Sequence, residues 1–300
     1  MNAPEKIALP DTQALLDLRQ LPIHKVGIKR LRYPITLAGG ALGPQHTIAE
    51  FSMFVGLAHD VKGTHMSRFV ETLEAWRAPL DIGSLRQLHA TMLQRLDAVT
   101  GFLQVSFPYF IRKGAPVSGV ESLLDYEAGM IAETTGDGRT RVTIALTAPV
   151  TSLCPCSKRI SEYGAHNQRS HITVTADVLV GELSFEELAR VAEEEASCEV
   201  YGILKRPDEK WVTERAYDNP KFVEDLVRDI ALRMRRDPRV GRFTVGSENF
   251  ESIHNHSAYA EIEGLGAAQV DSTAESAAVR RPAQAAQSNP AGSAIIQGAE

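Results

Sequence analysis

Residues 141–150 read RVTIALTAPV. Val142, Ile144 and Leu146 alternate with Arg141, Thr143, Ala145 and Thr147, and a period of two is the signature of a strand with one buried face. The Thr-Gly-Asp-Gly at 135–138 is a turn, so the strand-like run Leu123–Thr134 before it reads as a hairpin partner. Working outward, Phe102–Ile111 and His171–Val180 are further strand-like runs. Val26–Ile35 and Thr47–Leu57, joined by GGALGP, suggest a long antiparallel hairpin. Between these strands the period changes. Met66, Phe69, Val70, Leu73 and Trp76 fall at helical spacing, as do Leu85, Leu88, Met92, Leu93 and Leu96, with Pro79 between the two sets. Thr64 or Ser67 is the expected cap of the first helix. Ser184 and Glu187 form a capping box ahead of Leu188, Val191 and Ala192. Asn219-Pro220 reads as a cap and a helix-starting proline before Phe222, Val223, Leu226, Val227, Ile230 and Met234. Asp237-Pro238 ends that helix, and Arg242–Val245 and Ala258–Ile262 read as closing strands. The order is two strands, two helices, a strand-rich middle, two helices, two strands. A ββαα unit is thus expected twice, the second time with its strands rearranged. Paired helices favour an α+β fold with antiparallel sheet over a doubly wound one.

Composition narrows the function classes. The chain has 300 residues, 43% of them hydrophobic, and a net charge of −6. It has no apolar run near the ~20 residues of a membrane span. Its start, MNAPEKIALPDTQALLDL, places Pro and charges where a signal peptide needs an apolar stretch, so the expected location is cytoplasmic. No basic stripe stands out, which disfavours nucleic acid and leaves an anionic small molecule open. Residues 1–20 are expected to be loosely held, 21–264 to form the folded domain, and the Ala-rich 265–300 to be a disordered tail. The three cysteines, Cys154, Cys156 and Cys198, are odd in number and two lie one residue apart, so a secreted disulfide framework is disfavoured. Metal ligand, nucleophile and buried small apolar residue all remain open for them.

The chemistry concentrates in four places. The densest is TSLCPCSKRISEYGAHNQR (151–169), where Cys154 can supply a thiolate and His166 an imidazole to zinc or a similar ion. A plain surface loop is the competing reading, since Cys-x-Cys is less specific than paired C-x-x-C motifs. The second is KRPDEK (205–210), a charged turn in its bland reading and a source of a metal-binding carboxylate in the other. The third is SIHNH (252–256). In a strand, its His-x-His places both rings on one face, suited to a metal or a phosphate, against a mere pair of surface histidines. The fourth is KGTHMSR (62–68), at a strand-to-helix junction. Its amides with Lys62, His65 and Arg68 make an anion cradle, or do nothing beyond capping. Glu224 is by itself an ordinary first-turn carboxylate.

Taken together, KGTHMSRF (62–69), CPCSKRISEYGAHNQRSH (154–171), KRPDEKWVTE (205–214), NPKFVEDLVRD (219–229) and ESIHNHSAY (251–259) resemble the type IB GTP cyclohydrolase I family, in its order and from about Leu21 to Gly264. The resemblance implies a tunnelling fold, in which ββαα units assemble into a barrel closed by oligomerisation and bind purines or pterins between subunits. It implies that GTP is hydrolysed at C8 to 7,8-dihydroneopterin triphosphate and formate, the first step of tetrahydrofolate synthesis. Cys154 matches the family's metal-ligating cysteine and His166 its catalytic histidine, which can also coordinate the ion. Glu209 and His254 match further metal positions. Glu224 matches the carboxylate that holds the purine's ring NH and exocyclic amine. The implied cofactor is a divalent ion, Mn, Zn or Fe, and the implied assembly is a homo-oligomer, expected to be a tetramer. Charge and position nominate Lys62, His65, Arg68, Lys158 and Arg169 to neutralise the triphosphate. Two rivals remain: a tunnelling-fold nitrile reductase with a nucleophilic Cys154, and a non-catalytic purine-binding protein.

Overall fold

The computed structural model describes residue 13 and residues 15–269. The strands are β1 (Ile23–Leu37), β2 (Gln45–Leu57), β3 (Gly101–Gly114), β4 (Glu121–Thr134), β5 (Thr140–Leu153), β6 (Asn167–Val178), β7 (Cys198–Glu199), β8 (Val240–Asn249) and β9 (Ala258–Leu265). The helices are α1 (Ser67–Ala75), α2 (Ile82–Leu96), α3 (Pro155–Ile160), α4 (Phe185–Glu195), α5 (Arg206–Asp218) and α6 (Val223–Arg236). The strands form one sheet in the order β1-β2-β3-β4-β5-β6-β8-β9, and every paired neighbour is antiparallel. Short β7 lies beside β5. The expected α+β class with antiparallel sheet is what the chain builds.

The alternation that opened the reading sets the core. Val142, Ile144, Leu146, Ala148 and Val150 of β5 are buried, while Thr143, Ala145, Thr147, Pro149 and Thr151 between them stay partly open. Phe51 and Met53 of β2, Leu103 and Val105 of β3, and Ile172 and Val174 of β6 continue the same buried face. Leu85, Leu88 and Met92 of α2, Leu188 and Ala192 of α4, and Leu226, Val227 and Ile230 of α6 cover it. Truncating any one of these large side chains to Ala costs about 2–5 kcal/mol. The opposite face is threonine-rich, and Thr147 and Thr173 hydrogen-bond across it at 2.9 Å. The β1–β2 register slips between Ile28 and Leu31, where Arg30 takes a φ of 59° and bulges the edge strand.

Several local expectations are corrected. Neither Thr64 nor Ser67 caps α1, whose N-cap is Met66 without a side-chain bond. Asn219-Pro220 does not start α6. Asn219 ends α5, its amide donating to the Ala196 carbonyl at 2.8 Å, and Phe222 is the N-cap of α6. The charged 205–210 turn is the first turn of α5, whose polar sequence hides it from a periodicity reading. His254 and His256 lie in the 250–257 connection between β8 and β9, outside any strand. The Ser184–Glu187 box forms as expected, with both reciprocal bonds. Leu16 bridges Val61, and Asp17 donates its amide to the Asp60 carbonyl at 2.8 Å, so part of 1–20 is tied to the β2–α1 connection. Leu265, assigned to the tail, pairs with Arg242 inside the sheet, and the rest of that tail from 270 onward lies outside the described residues. No helix among the described residues is long and apolar enough to cross a membrane.

Candidate active site

Strand direction sorts the expected site residues into two groups. β3 and β4 meet at Gly114 and Glu121, β5 and β6 at Leu153 and Asn167, and β8 and β9 at Asn249 and Ala258. All three turns stand at one end of the sheet. Leu57, Gly101, Thr134 and Thr140 stand at the other.

At the first end, Leu153 is the pivot. Its N–H donates to Ser197 Oγ at 3.0 Å, and its carbonyl accepts from the Lys221 amide at 3.1 Å. The chain then leaves the sheet, with Cys154 as N-cap of α3 and Pro155 supplying a pre-set φ. Cys154 Sγ accepts from the Ser157 amide at 3.5 Å. The Cys154 amide donates to the His166 carbonyl at 3.1 Å, so the two residues face each other where β5 ends and β6 begins. His166 is half-buried, with Nδ1 3.0 Å from Gln168 Oε1 and 4.0 Å from Glu251 Oε2. Both neighbours present acceptor oxygens, which suits the tautomer that donates from Nδ1 and leaves the Nε2 lone pair to a metal or a proton.

The helices bring up the remaining groups. Trp211 and Val212 of α5, together with Ala165, the residue before His166, pack against a small cluster of Leu153, Cys198 and Ala216. Glu209 sits exposed less than a turn earlier on the same helix. Its neighbour Asp208 is fully buried and accepts from the Val117, Ser118 and Lys205 amides, each at 2.8 Å, and from Ser118 Oγ at 2.6 Å. Burial opposes the Asp208 charge, but these bonds, the Ser118 hydroxyl foremost, prevail and hold the carboxyl well below the usual range. Glu224 is exposed in the first turn of α6, a helix start anchored to Leu153 through Lys221. His254 and His256 are exposed and stack on each other, with ring centroids 5.1 Å apart. Lys158 is engaged: Nζ donates to the Tyr217 carbonyl and lies 4.2 Å from that ring's centroid. Arg169 is exposed on β6.

Lys62, His65 and Arg68 are not brought to this cluster. They follow β2, at the opposite end, where Arg68 Nη1 donates to the Arg95 carbonyl at 3.3 Å. A strand of 14 residues separates the two ends, roughly 45 Å at ~3.3 Å per residue. Among the described residues of one chain, no three His, Cys, Asp or Glu side chains are gathered as a ready metal cage. The donors still suit a divalent transition ion: a thiol sulfur accepting from an amide, an imidazole with Nε2 free, and exposed carboxylate and imidazole groups on elements at the same end. Sequence reasoning missed Gln168, Glu251 and Asp208. Gln168 had a signal, since a polar side chain at a buried position of a strand needs a partner.

Paired helices on one face of an antiparallel sheet, with a Cys–His corner at a strand end, define a tunnelling-fold protein. A uricase from Bacillus fastidious shares the fold at 11% identity and a TM-score of 0.50, covering 88% of this chain and 99% of that one. Within that class the chain belongs to the type I GTP cyclohydrolase folE2 family, whose profile matches residues 9–260. A GTP cyclohydrolase FolE2 1 from Dechloromonas aromatica is 63% identical over 264 residues, spanning 88% of this chain and 99% of the relative. A GTP cyclohydrolase FolE2 2 from Cupriavidus metallidurans is 61% identical over 257 residues, covering 85% and 94% of the two chains.

Proposed function

We propose that this chain is a GTP cyclohydrolase I of the IB subtype, acting in the cytoplasm. It hydrolyses GTP at C8 to 7,8-dihydroneopterin triphosphate and formate, at the start of folate synthesis. Family membership supports the activity. The observation that carries the site is the bond from the Cys154 amide to the His166 carbonyl, made next to Leu153, whose own carbonyl anchors the α6 start through the Lys221 amide.

Cys154, His166, Glu209 and His254 would hold the ion, with Mn, Zn or Fe all compatible with a thiol, imidazole and carboxylate set. A bound ion supplies Lewis acidity and lowers the pKa of water toward ~7. Glu224 accepts hydrogen bonds from the guanine ring NH and amine, fixing the purine by its edge. His166 is oriented by Gln168, so its Nε2 can move a proton between water and the imidazole nitrogens as the ring opens. Lys158 and Arg169 face the triphosphate from the same end. Residues 21–264 make up the catalytic domain, with Leu16, Asp17 and Leu265 joined to it by the pairings described above.

Lys62, His65 and Arg68 lie too far away to serve the same site, so in this reading they come from a second copy. Among the described residues no strand lies outside β1, beyond a single bridge from Leu37 to Leu80, or outside β9, which is the unpaired edge a barrel removes. Tyr163 and Ile160, beside the Cys154 corner, are 98% and 82% exposed, as befits side chains that a partner covers. The assembly is a homo-oligomer, a tetramer in this reading. The test is to incubate the purified protein with GTP and manganese, then measure formate and, after oxidation, pterin fluorescence. Absence of both with metal supplied refutes the assignment.

A further inference from the structure

A line of buried polar contacts leads away from the Cys154 corner into the sheet. β7 is only two residues long and pairs with β5 at Val150 and Thr151. It fits there because β4 has already parted from β5: their ladder stops at Glu127 and Thr147, and the earlier residues of β4 pair with β3 alone. Two residues of ladder cannot hold a strand in place. Charge does it instead. Lys113 Nζ of β3 lies 2.8 Å from Glu193 Oε1 and 3.0 Å from Glu199 Oε2, with the Lys113 side chain only 8% exposed. Tyr126 OH donates to Glu193 Oε1 at 2.5 Å, and the Tyr201 ring centroid lies 4.7 Å from the ammonium. Immediately before β7, fully buried Ser197 offers Oγ to the Leu153 amide, and Asn219 Nδ2 donates to the Ala196 and Ser197 carbonyls.

A buried ion cluster is a poor way to gain stability, because desolvation consumes most of the attraction and apolar residues of the same volume serve as well. Its use here is geometric. We infer that Lys113, acting through Glu199 and Ser197, is a positioning residue that fixes where Cys154 stands relative to the start of α6. The inference rests on the reading of Cys154 as a metal ligand. Lys113 and Ser197 touch neither substrate nor ion; Lys113 holds β7 through Glu199, Ser197 just ahead of β7 holds Leu153, and Leu153 holds the next residue.

The experiment uses metal-free full-length protein carrying Cys156→Ser, titrated with cobalt(II) and followed by the thiolate-to-cobalt charge-transfer band. Lys113→Met, Ser197→Ala and the charge-balanced Lys113→Met/Glu199→Gln are compared by cobalt affinity, band intensity, melting temperature, kcat and KM. The expected result is cobalt binding weakened about tenfold, in the range of outer-shell changes, and kcat reduced about 10- to 100-fold with KM changed less than about twofold. Should Lys113→Met fail to fold, the double variant and Ser197→Ala decide. If both bind cobalt as the parent does and keep its kcat while only the melting temperature falls, the network is structural and the inference is overturned. A parent protein with no thiolate band, together with a fully active Cys154→Ala variant, removes the ligand reading and this inference with it. A band in the parent that the variants leave unchanged removes the inference alone.

Discussion

Replacing Glu224 with Gln removes one charge and almost nothing else. The side chain is exposed in the first turn of α6, with no ion pair or hydrogen bond to another described residue. The loss to stability is therefore its interaction with the helix N-terminus, about 0.3–1 kcal/mol. For a domain of this size, that lowers the melting temperature by about 1–4 °C. The loss to catalysis is much larger. In the proposed site the carboxylate accepts from two guanine donors, and each hydrogen bond to a charged group contributes about 1.5–3 kcal/mol. An amide offers one oxygen and turns an NH₂ toward the second donor. A total of about 3–5 kcal/mol predicts a fall in kcat/KM of roughly 10²- to 10³·⁵-fold. Steady-state formate release from GTP measures it, beside a thermal melt. Inosine triphosphate sharpens the result, because it lacks the exocyclic amine: the variant should lose less on this substrate than on GTP, as expected of two coupled changes at one contact. A kcat/KM within threefold of the parent on GTP, or equal losses on both nucleotides, would mean that α6 does not hold the purine.

The neighbouring cysteines should separate: Cys154→Ala abolishes formate release and lowers the metal bound per chain, whereas exposed Cys156→Ala leaves both near the parent's values, by assay and elemental analysis. If Cys154→Ala keeps its metal and loses activity, the sulfur acts as a nucleophile. Asp208 has a folded-state pKa below its unfolded value, so its contribution is fully present above about pH 4 and is lost as pH falls toward the folded value. Asp208→Asn should lower stability at pH 7 and flatten its decline below pH 4 in denaturant titrations; an unchanged acid limb removes the argument. Deletion from Val270 onward should leave melting temperature and turnover within error, given that segment's few large apolar residues. Cutting at Leu265 instead takes the last residue of β9 and should lower the melting temperature.

Where the sequence carried a period, it revealed the structure. The alternation in β5 and the apolar stripes of α2, α4 and α6 were legible because each element buries one face, and burial is what selects residues at fixed spacing. α5 was hidden for the same reason. Only Asp208 and Ala216 are buried along it, and its first turn is held by a carboxylate clamp to the β3–β4 turn instead of an apolar stripe. α3 is too short, at six residues, to show any period. In the site, the identities of Cys154, His166, Glu209, Glu224 and His254 came from motif resemblance, and the strand ends place them on one side. That Lys62, His65 and Arg68 belong to the other side could not be read from a linear string, since it depends on the register of β2 against β3. The Lys113 cluster was also invisible, because it has no spacing rule: its role arises from contacts across 80 residues, as between Lys113 and Glu193.

The placement of Lys62, His65 and Arg68 at one end of the sheet and the Cys–His corner at the other has a genetic consequence on the proposed reading. A chain damaged at Arg68 and a chain damaged at Cys154 each ruin every site in their own pure assembly. Unfolded together and refolded as a mixture, they form hybrids in which an intact Cys154 corner of one chain faces an intact Arg68 of the other. Two dead proteins thus restore one another, with a yield set by how subunits are drawn from the pool. A pair damaged at Cys154 and His166 shares one end and gains nothing from mixing. The sheet, by keeping its two chemistries a strand's length apart, makes activity a property of the mixture.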